Sequence, residues 1–211
     1  MLDLSANPRI VEPDYLLERT LLVIPSISFG NFVLQKLHGS PFYEERYLYF
    51  AYFLKQPKTR VIVVLSDAFE PCIVEYFFDH LAQATGIEKS DLFERFSVLT
   101  MPAKDGKSLT EVILGNPEHI KRIADELAKY HQPAFVEFFQ VNAEEIKLAE
   151  LLQVPLYGLT PSALALNSKS EARDVFRKAG LETISGESDI FSLETAYDVL
   201  KELSQRENAE S

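Results

Sequence analysis

Five short apolar segments, separated by stretches of helical periodicity, constrain the fold of this chain more than any other feature of its sequence. The segments are rich in β-branched residues and apolar at successive positions, which is typical of parallel strands buried on both faces. Because strands alternate with helices through short connections, the sequence predicts an α/β fold with an open, mostly parallel sheet and helices on both faces. The predicted strands cover residues 20–28, 59–67, 95–102, 133–141 and 154–160.

The helical stretches between these strands have recognisable ends. The aromatic-rich segment 43–57 carries apolar residues at helical intervals and stops at a proline. A second helix starts at Glu70 and Pro71 and ends at Gly86, since glycine commonly follows the last helical turn. Further helices are predicted over 108–114, from Asn116 to about Tyr130, and after Asn142, with asparagine as the N-cap in the last two.

The pattern changes after residue 160. There the sequence predicts a helix from Asn167 or Ser168 to Gly180, a short strand over 181–184 and a helix capped by Ser192. That strand has no partner sheet of its own, so we expect a small, incomplete α+β unit. The predicted organisation is an N-terminal arm (1–19), an α/β domain (20–160), the incomplete unit (161–204) and a polar tail (205–211).

Charge and hydropathy exclude several classes of protein. The net charge is -11 and the pI about 4.9, which argues against a nucleic-acid partner and against docking on anionic lipid, because both need clustered basic residues. No segment approaches the ~20 apolar residues of a membrane span, and the N-terminus has neither the basic nor the apolar region of a signal peptide. We therefore expect a cytoplasmic protein.

Cysteine and histidine give no sign of a metal site. Cys72 is the sole cysteine, so an intramolecular disulfide is impossible. It lies in an apolar segment and is predicted to be a buried structural thiol. The four histidines are scattered, with no pair at metal-ligand spacing. The sequence therefore nominates no metal ligand and, lacking any nucleophile motif or phosphate-binding loop, no catalytic residue.

Polar residues at the ends of the first two strands are candidates for a ligand crevice. Open α/β sheets bind ligands beyond the carboxyl ends of their strands, and a charged helix start lies between these two strands. Loop geometry and ordinary solvation of first-turn charges are the alternative explanations. The candidates are Ser26, Ser28, Glu44, Arg46, Ser66 and Asp67.

A series of ordered motifs resembles a known family. VIPSIS (23–28), YEER (43–46), QPKTRVIVVLSD (56–67) and SLTEVIL (108–114) are followed by PLYGLTPSALALNSKSEARDVF (155–176). This series resembles the N-terminal half of pheganomycin-type peptide ligases, in which a pre-ATP-grasp domain precedes an ATP-grasp domain. The resemblance extends from about Thr20 to Leu200 and implies that the first domain is Rossmann-like. Glu171 departs from it, since glycine is more usual there.

The resemblance also implies chemistry. ATP-grasp ligases join a carboxylate to an amine with ATP and Mg²⁺, so ATP, Mg²⁺ and a small carboxylate, amine or peptide substrate are implied here. Lys169 matches the lysine that reaches toward the nucleotide, where a cation and helix N–H groups together can meet phosphate oxygens. An exposed lysine in a capped first turn is the simpler alternative.

Two hypotheses follow for the whole chain. The resemblance implies a main ATP- and Mg²⁺-binding lobe that these 211 residues do not contain, so we expect a ligase part that cannot catalyse alone. A longer chain, a separate ATP-grasp chain or a homo-oligomer would then complete it. The alternative is a non-catalytic α/β binding or scaffold protein derived from such a ligase.

Overall fold

Four parallel strands form one sheet in the order β3-β2-β1-β4, and helices pack on both of its faces. The computed structural model describes residues 18–28, 40–102, 106–158, 163, 166 and 168–206. The strands are β1 (Arg19–Ile24), β2 (Thr59–Leu65), β3 (Phe96–Thr100) and β4 (Ala134–Phe138). The predicted α/β class is confirmed.

The two central strands form the core of the sheet. β1 and β2 are buried along nearly their whole length, whereas the edge strands β3 and β4 are only partly buried. Alternate residues of β1 enter separate apolar clusters, with Leu22 and Ile24 on one face and Leu21 and Val23 on the other. Apolar residues at successive positions are therefore required because helices cover both faces.

Each face has its own helices. The cluster around Leu22 contains side chains from α4 (Leu109–Leu114), α5 (Pro117–Ala128) and α6 (Ala143–Leu152). The opposite cluster contains side chains from a 3₁₀ helix (Arg46–Lys55), α2 (Pro71–Thr85) and α3 (Lys89–Glu94). The short helix α1 (Ser40–Glu45) leads directly into the 3₁₀ helix. No prediction from the sequence covers α3.

The predicted α-helix over 43–57 is mostly a 3₁₀ helix. Of its four buried residues, three (Leu48, Ala51 and Leu54) recur every third position, and side chains three apart eclipse one another in a 3₁₀ helix. Three rings with the same spacing stack along it, those of Tyr47, Phe50 and Phe53, with centroids 5.5 and 5.9 Å apart. The three-residue repeat therefore accounts for the tighter helix.

Most predicted helix ends are confirmed. Gly86 follows α2 with φ 71°, a left-handed conformation that glycine adopts at no steric cost. The side chain of Asn116 accepts the Glu118 N–H at the start of α5, and α6 begins directly after Asn142. The helix α5 ends at Ala128, two residues short of the predicted Tyr130.

Three expectations are wrong. The predicted fifth strand is reduced to a single parallel bridge between Val136 and Leu156, with residues 159–160 outside the described part. Residues 181–184 form no strand. Cys72 is exposed rather than buried, because it lies in the first turn of α2, whose buried residues Phe78 and Leu81 come only in later turns.

The chain divides into two compact units, Met1–Gly158 and Leu159–Ser211. The described part of the second unit contains the helices α7 (Lys169–Lys178) and α8 (Leu193–Arg206). Arg173 and Arg177 of α7 donate hydrogen bonds to the carbonyl groups of Ile184 and Gly186, which fixes the intervening loop on the helix. Across the described ranges, no helix is long and apolar enough to span a membrane.

Candidate functional site

The candidate site lies at the carboxyl ends of the parallel strands. The strand order reverses direction between β1 and β4, because β2 and β3 lie on one side of β1 and β4 on the other. Such a reversal leaves a crevice beyond the carboxyl ends of the two strands, and open α/β sheets bind their ligands there. Residues after Ile24 and Phe138 therefore border the crevice.

Ser26 and Ser28 join the end of β1 to two helix starts. Their hydroxyl oxygens are 3.0 Å apart, and the Ser26 oxygen accepts the Thr110 N–H of α4 at 3.0 Å. The Ser28 hydroxyl donates to Oε1 of Glu145, a fully buried residue in the first turn of α6. Oε2 of Glu145 accepts the Asn142 N–H at 2.9 Å. The crevice floor is thus a continuous hydrogen-bonded network.

The network decides what the two serines can do. Ser26 is fully buried and its hydroxyl is engaged by groups of the protein, so it holds the floor of the crevice rather than binding a ligand. Ser28 is half-buried. Its backbone carbonyl also accepts a hydrogen bond from Nδ2 of Asn142 at 3.1 Å. Of the two serines, Ser28 is the one with a surface open to a ligand.

Glu44 and Ser66 form a second pair at the same edge of the sheet. Oε2 of Glu44 accepts both the Ser66 N–H at 2.6 Å and the Ser66 hydroxyl at 2.8 Å. Glu44 is only 6% exposed. Burial raises the pKa of Glu44 to about 7, against the opposing effect of the Ser66 hydrogen bonds and with a smaller contribution from the charge of Asp67. A carboxyl group with such a pKa can exchange a proton near neutral pH.

Arg46 and Asp67 do not join these groups through any direct contact. The Arg46 guanidinium lies over the ring of Tyr43, 4.7 Å from its centroid, and Arg46 is exposed. Asp67 is exposed as well, and its carboxylate accepts the Ala68 N–H at 2.8 Å, as expected for a turn. For both residues, the observed contacts are those of an ordinary surface side chain.

Lys169 lies in the second unit, as the first residue of α7. It is exposed, and the preceding Ser168 is the N-cap, whose hydroxyl oxygen accepts the Glu171 N–H at 3.1 Å. The helix start thus leaves Lys169 beside backbone N–H groups, which is the geometry that suits one phosphate contact. The capping bond involves only the backbone N–H of Glu171. The presence of glutamate where the resembling ligases usually have glycine therefore does not affect this cap.

Sequence reasoning missed Glu145. The sequence offered a signal, because Asn142 followed three residues later by Glu145 is the pattern of a capping box, in which the acidic side chain returns to the N-cap N–H. It offered none for the second bond of Glu145, to Ser28, 117 residues earlier in the chain. Only the fold brings those two groups together.

The described part of the chain offers no ligand set for Mg²⁺. Within it, no three His, Cys, Asp or Glu side chains converge in a way that could hold a metal ion. The described residues therefore fit one phosphate contact through Lys169, and no set of them fits the divalent cation that the family resemblance implies.

An α/β protein with a polar crevice at the strand reversal is the class that the fold and site define. No protein-family model matches the chain, and no solved structure matches it. The chain is 26% identical over 199 residues to IQ motif-containing protein H of Danio rerio, covering 88% of this chain and 19% of that protein. It is 21% identical over 175 residues to an L-propargylglycine–L-glutamate ligase of Streptantibioticus cattleyicolor, covering 83% of this chain and 36% of the ligase.

Proposed function

We propose that this chain is the N-terminal part of an ATP-dependent carboxylate–amine ligase-like protein. The α/β unit would present a carboxylate, amine or peptide substrate at the crevice, and the second unit would begin the ATP site with Lys169. The observation that carries the proposal is the 175-residue match to a ligase, which is longer than the α/β unit itself. The chain spans about a third of that ligase, so the main ATP- and Mg²⁺-binding lobe would be supplied elsewhere.

The pair of Glu44 and Ser66 supports this chemistry. An amine must lose a proton to become an amide nitrogen, and the acceptor works best when its pKa lies near the working pH. Burial gives Glu44 a pKa of about 7, and its two hydrogen bonds from Ser66 fix the carboxylate orientation. We propose that Glu44, which lies at the same edge of the sheet beside the end of β2, accepts such a proton when its site opens to the substrate.

Exposed apolar side chains of the second unit also support the proposal. Phe191 and Leu193 are each 91% exposed, and Tyr197 and Leu200 on α8 are exposed as well. Their spacing along α8 places Leu193, Tyr197 and Leu200 on one helix face. An ATP-grasp lobe in a longer chain, in a separate chain or in a second copy of this one is the partner that such a face would serve. ATP is available in the cytoplasm, where the proposal locates the protein.

Nuclear magnetic resonance of the ¹⁵N-labelled chain tests the nucleotide contact. Addition of ATP with Mg²⁺ is expected to shift the amide signals of Ser168 to Glu171, because phosphate oxygens meet N–H groups at a helix start. Lys169→Ala should weaken this binding by about tenfold, equivalent to the loss of one charge-assisted contact. Lys178→Ala, which removes an exposed lysine from the last turn of the same helix, is the matched control and should leave it unchanged. Equal binding by Lys169→Ala and wild type, or no shifts at all, would contradict the nucleotide role.

A non-catalytic binding or scaffold role is the second candidate. The internal use of Ser26 favours it, because the crevice floor is then structural. In that case the amide shifts on adding ATP would be absent, while a dipeptide or dicarboxylate would still shift the signals of Ser28 and Asn142. If neither ATP nor the dipeptide or dicarboxylate shifts any amide signal, both the ligase-like role and the binding role are contradicted.

A further inference from the structure

The helix α8 carries two neighbouring apolar stripes, and the described part of the chain covers only one of them. The covered stripe consists of three half-buried residues at helical intervals: Ala196, Val199 and Leu203. The other stripe runs along the helix through Leu193, Tyr197 and Leu200, which are 91%, 69% and 66% exposed. Phe191, just before the helix, is 91% exposed as well. We call Phe191, Leu193, Tyr197 and Leu200 the open stripe.

The open stripe is large for a surface that meets only water. A free side chain of this size carries about 150–200 Å² of surface, so the four side chains together expose roughly 600 Å². This area is at the upper end of the largest apolar patches on typical monomers. A standard interface takes about 800 Å² from each partner, including a polar rim. The open stripe therefore has the size of the apolar centre of an interface.

The charges beside the open stripe are self-complementary. Glu194 and Lys201 lie on the same side of the stripe, because residues seven apart differ by only about 20° around an α-helix. At about 1.5 Å per residue, Glu194 lies about 4.5 Å before Tyr197 along the helix axis and Lys201 about 6 Å after it. Both side chains are exposed, and neither forms an ion pair within the described ranges.

These positions fit a second copy of α8 that runs in the opposite direction. A two-fold axis at Tyr197 places Lys201 of one copy about 1.5 Å, along the helix axis, from Glu194 of the other copy. The same axis sets Leu193 opposite Leu200 of the other copy. In a parallel pair of helices the two charged flanks lie on opposite sides of the contact, so these charges do not meet. The arrangement of charge therefore selects the antiparallel pair.

We propose that two copies of this chain associate through antiparallel α8 helices, with the open stripe at the centre and two Glu194–Lys201 ion pairs at its edge. The self-complementary charges favour a second copy over a partner of different sequence, because such an interface presents the same patch on both subunits. This inference goes beyond the proposed function, which leaves the occupant of the face open. It uses neither Lys169 nor the crevice, so ATP binding and association can fail independently.

Sedimentation of the whole chain over about 1–200 µM tests the association. The mass should rise with concentration from the 24.0 kDa of one chain toward twice that value. Tyr197→Asp places two carboxylates at the two-fold axis and should weaken association by more than about tenfold. Tyr76→Asp makes the same change on α2, at a residue that is 76% exposed, and should leave association unchanged. Both tyrosines are exposed, so each variant should keep its fold, which circular dichroism checks.

Charge reversal tests the direction of the helices. Glu194→Lys and Lys201→Glu change the net charge in opposite directions, but each creates two like-charge pairs at the contact, so each should weaken association by about tenfold. The double variant Glu194→Lys/Lys201→Glu restores opposite charges and should associate like wild type. The proposal is overturned by a mass that stays at 24.0 kDa, which would leave the open stripe to a partner of different sequence. It is also overturned if Tyr197→Asp associates as tightly as Tyr76→Asp, or if the double variant is as weak as the single variants.

Discussion

The carboxyl group of Glu44 is buried, and its titration should make the stability of the protein depend on pH. In the unfolded chain its pKa has the ordinary value of 4.5, and in the folded protein burial raises it to about 7. Between these two values the folded state binds a proton that the unfolded state has released. Its contribution to stability is therefore fully present below pH 4.5 and is lost as the pH rises through 7.

The size of the effect follows from the two pKa values. A shift from 4.5 to about 7 corresponds to about 3 kcal/mol of unfolding free energy. Glu44→Gln removes the titration but keeps a side-chain oxygen that can accept the two Ser66 hydrogen bonds. Between pH 4 and pH 8.5, wild type should therefore lose about 3 kcal/mol of unfolding free energy that Glu44→Gln does not lose, because the variant does not titrate at this position.

Urea denaturation at both pH values measures this difference. The chain has nine tyrosines and no tryptophan, and most of these tyrosines lie in the first unit, so tyrosine fluorescence reports mainly on the unit that contains Glu44. Glu45→Gln removes a carboxylate from the adjacent position of α1 and controls for the loss of one negative charge. Its curve should follow that of wild type. If Glu44→Gln and wild type keep a constant difference across the pH range, the reasoning about burial is refuted.

Three further predictions use the same unfolding assay or simple labelling. Ser26→Ala should lower the unfolding free energy by about 1–3 kcal/mol, because the buried Thr110 N–H loses its acceptor; an unchanged midpoint would contradict the proposed network. Phe78→Ala should cost about 3–5 kcal/mol, since Phe78 is fully buried, whereas Tyr76→Ala on the same helix, 76% exposed, should stay within about 0.5 kcal/mol. Cys72 should react with a thiol reagent in the native protein nearly as fast as in urea, and strong protection would contradict its exposure.

The fold class could be read from sequence because strand and helix signals are local. The strands β1 to β4 begin and end within a few residues of the predicted limits, and the fold class is confirmed. Helix caps at Asn116, Asn142 and Ser168 were equally readable, because a cap depends on side chains within three residues of the helix start. Such features need no information from distant parts of the chain.

Features that depend on packing were read less well. The segment around Tyr47 matched a helical period, but choosing between the α and 3₁₀ forms required knowing that Leu48, Ala51 and Leu54 all face the sheet. Burial of Cys72 was inferred from apolar neighbours, yet the first turn of α2 has no buried residue. In both places a local pattern was consistent with two arrangements, and contacts with other elements selected one.

The sequence by itself determined the alternation of strands and helices, the limits of most elements and the acidic character of the protein. Only the tertiary structure decided the strand order, which places β4 beside β1 and creates the crevice. It also decided the pairing of Ser28 with Glu145 and of Glu44 with Ser66. These groups lie far apart along the chain, and their chemistry arises from burial and contact, which no local pattern records.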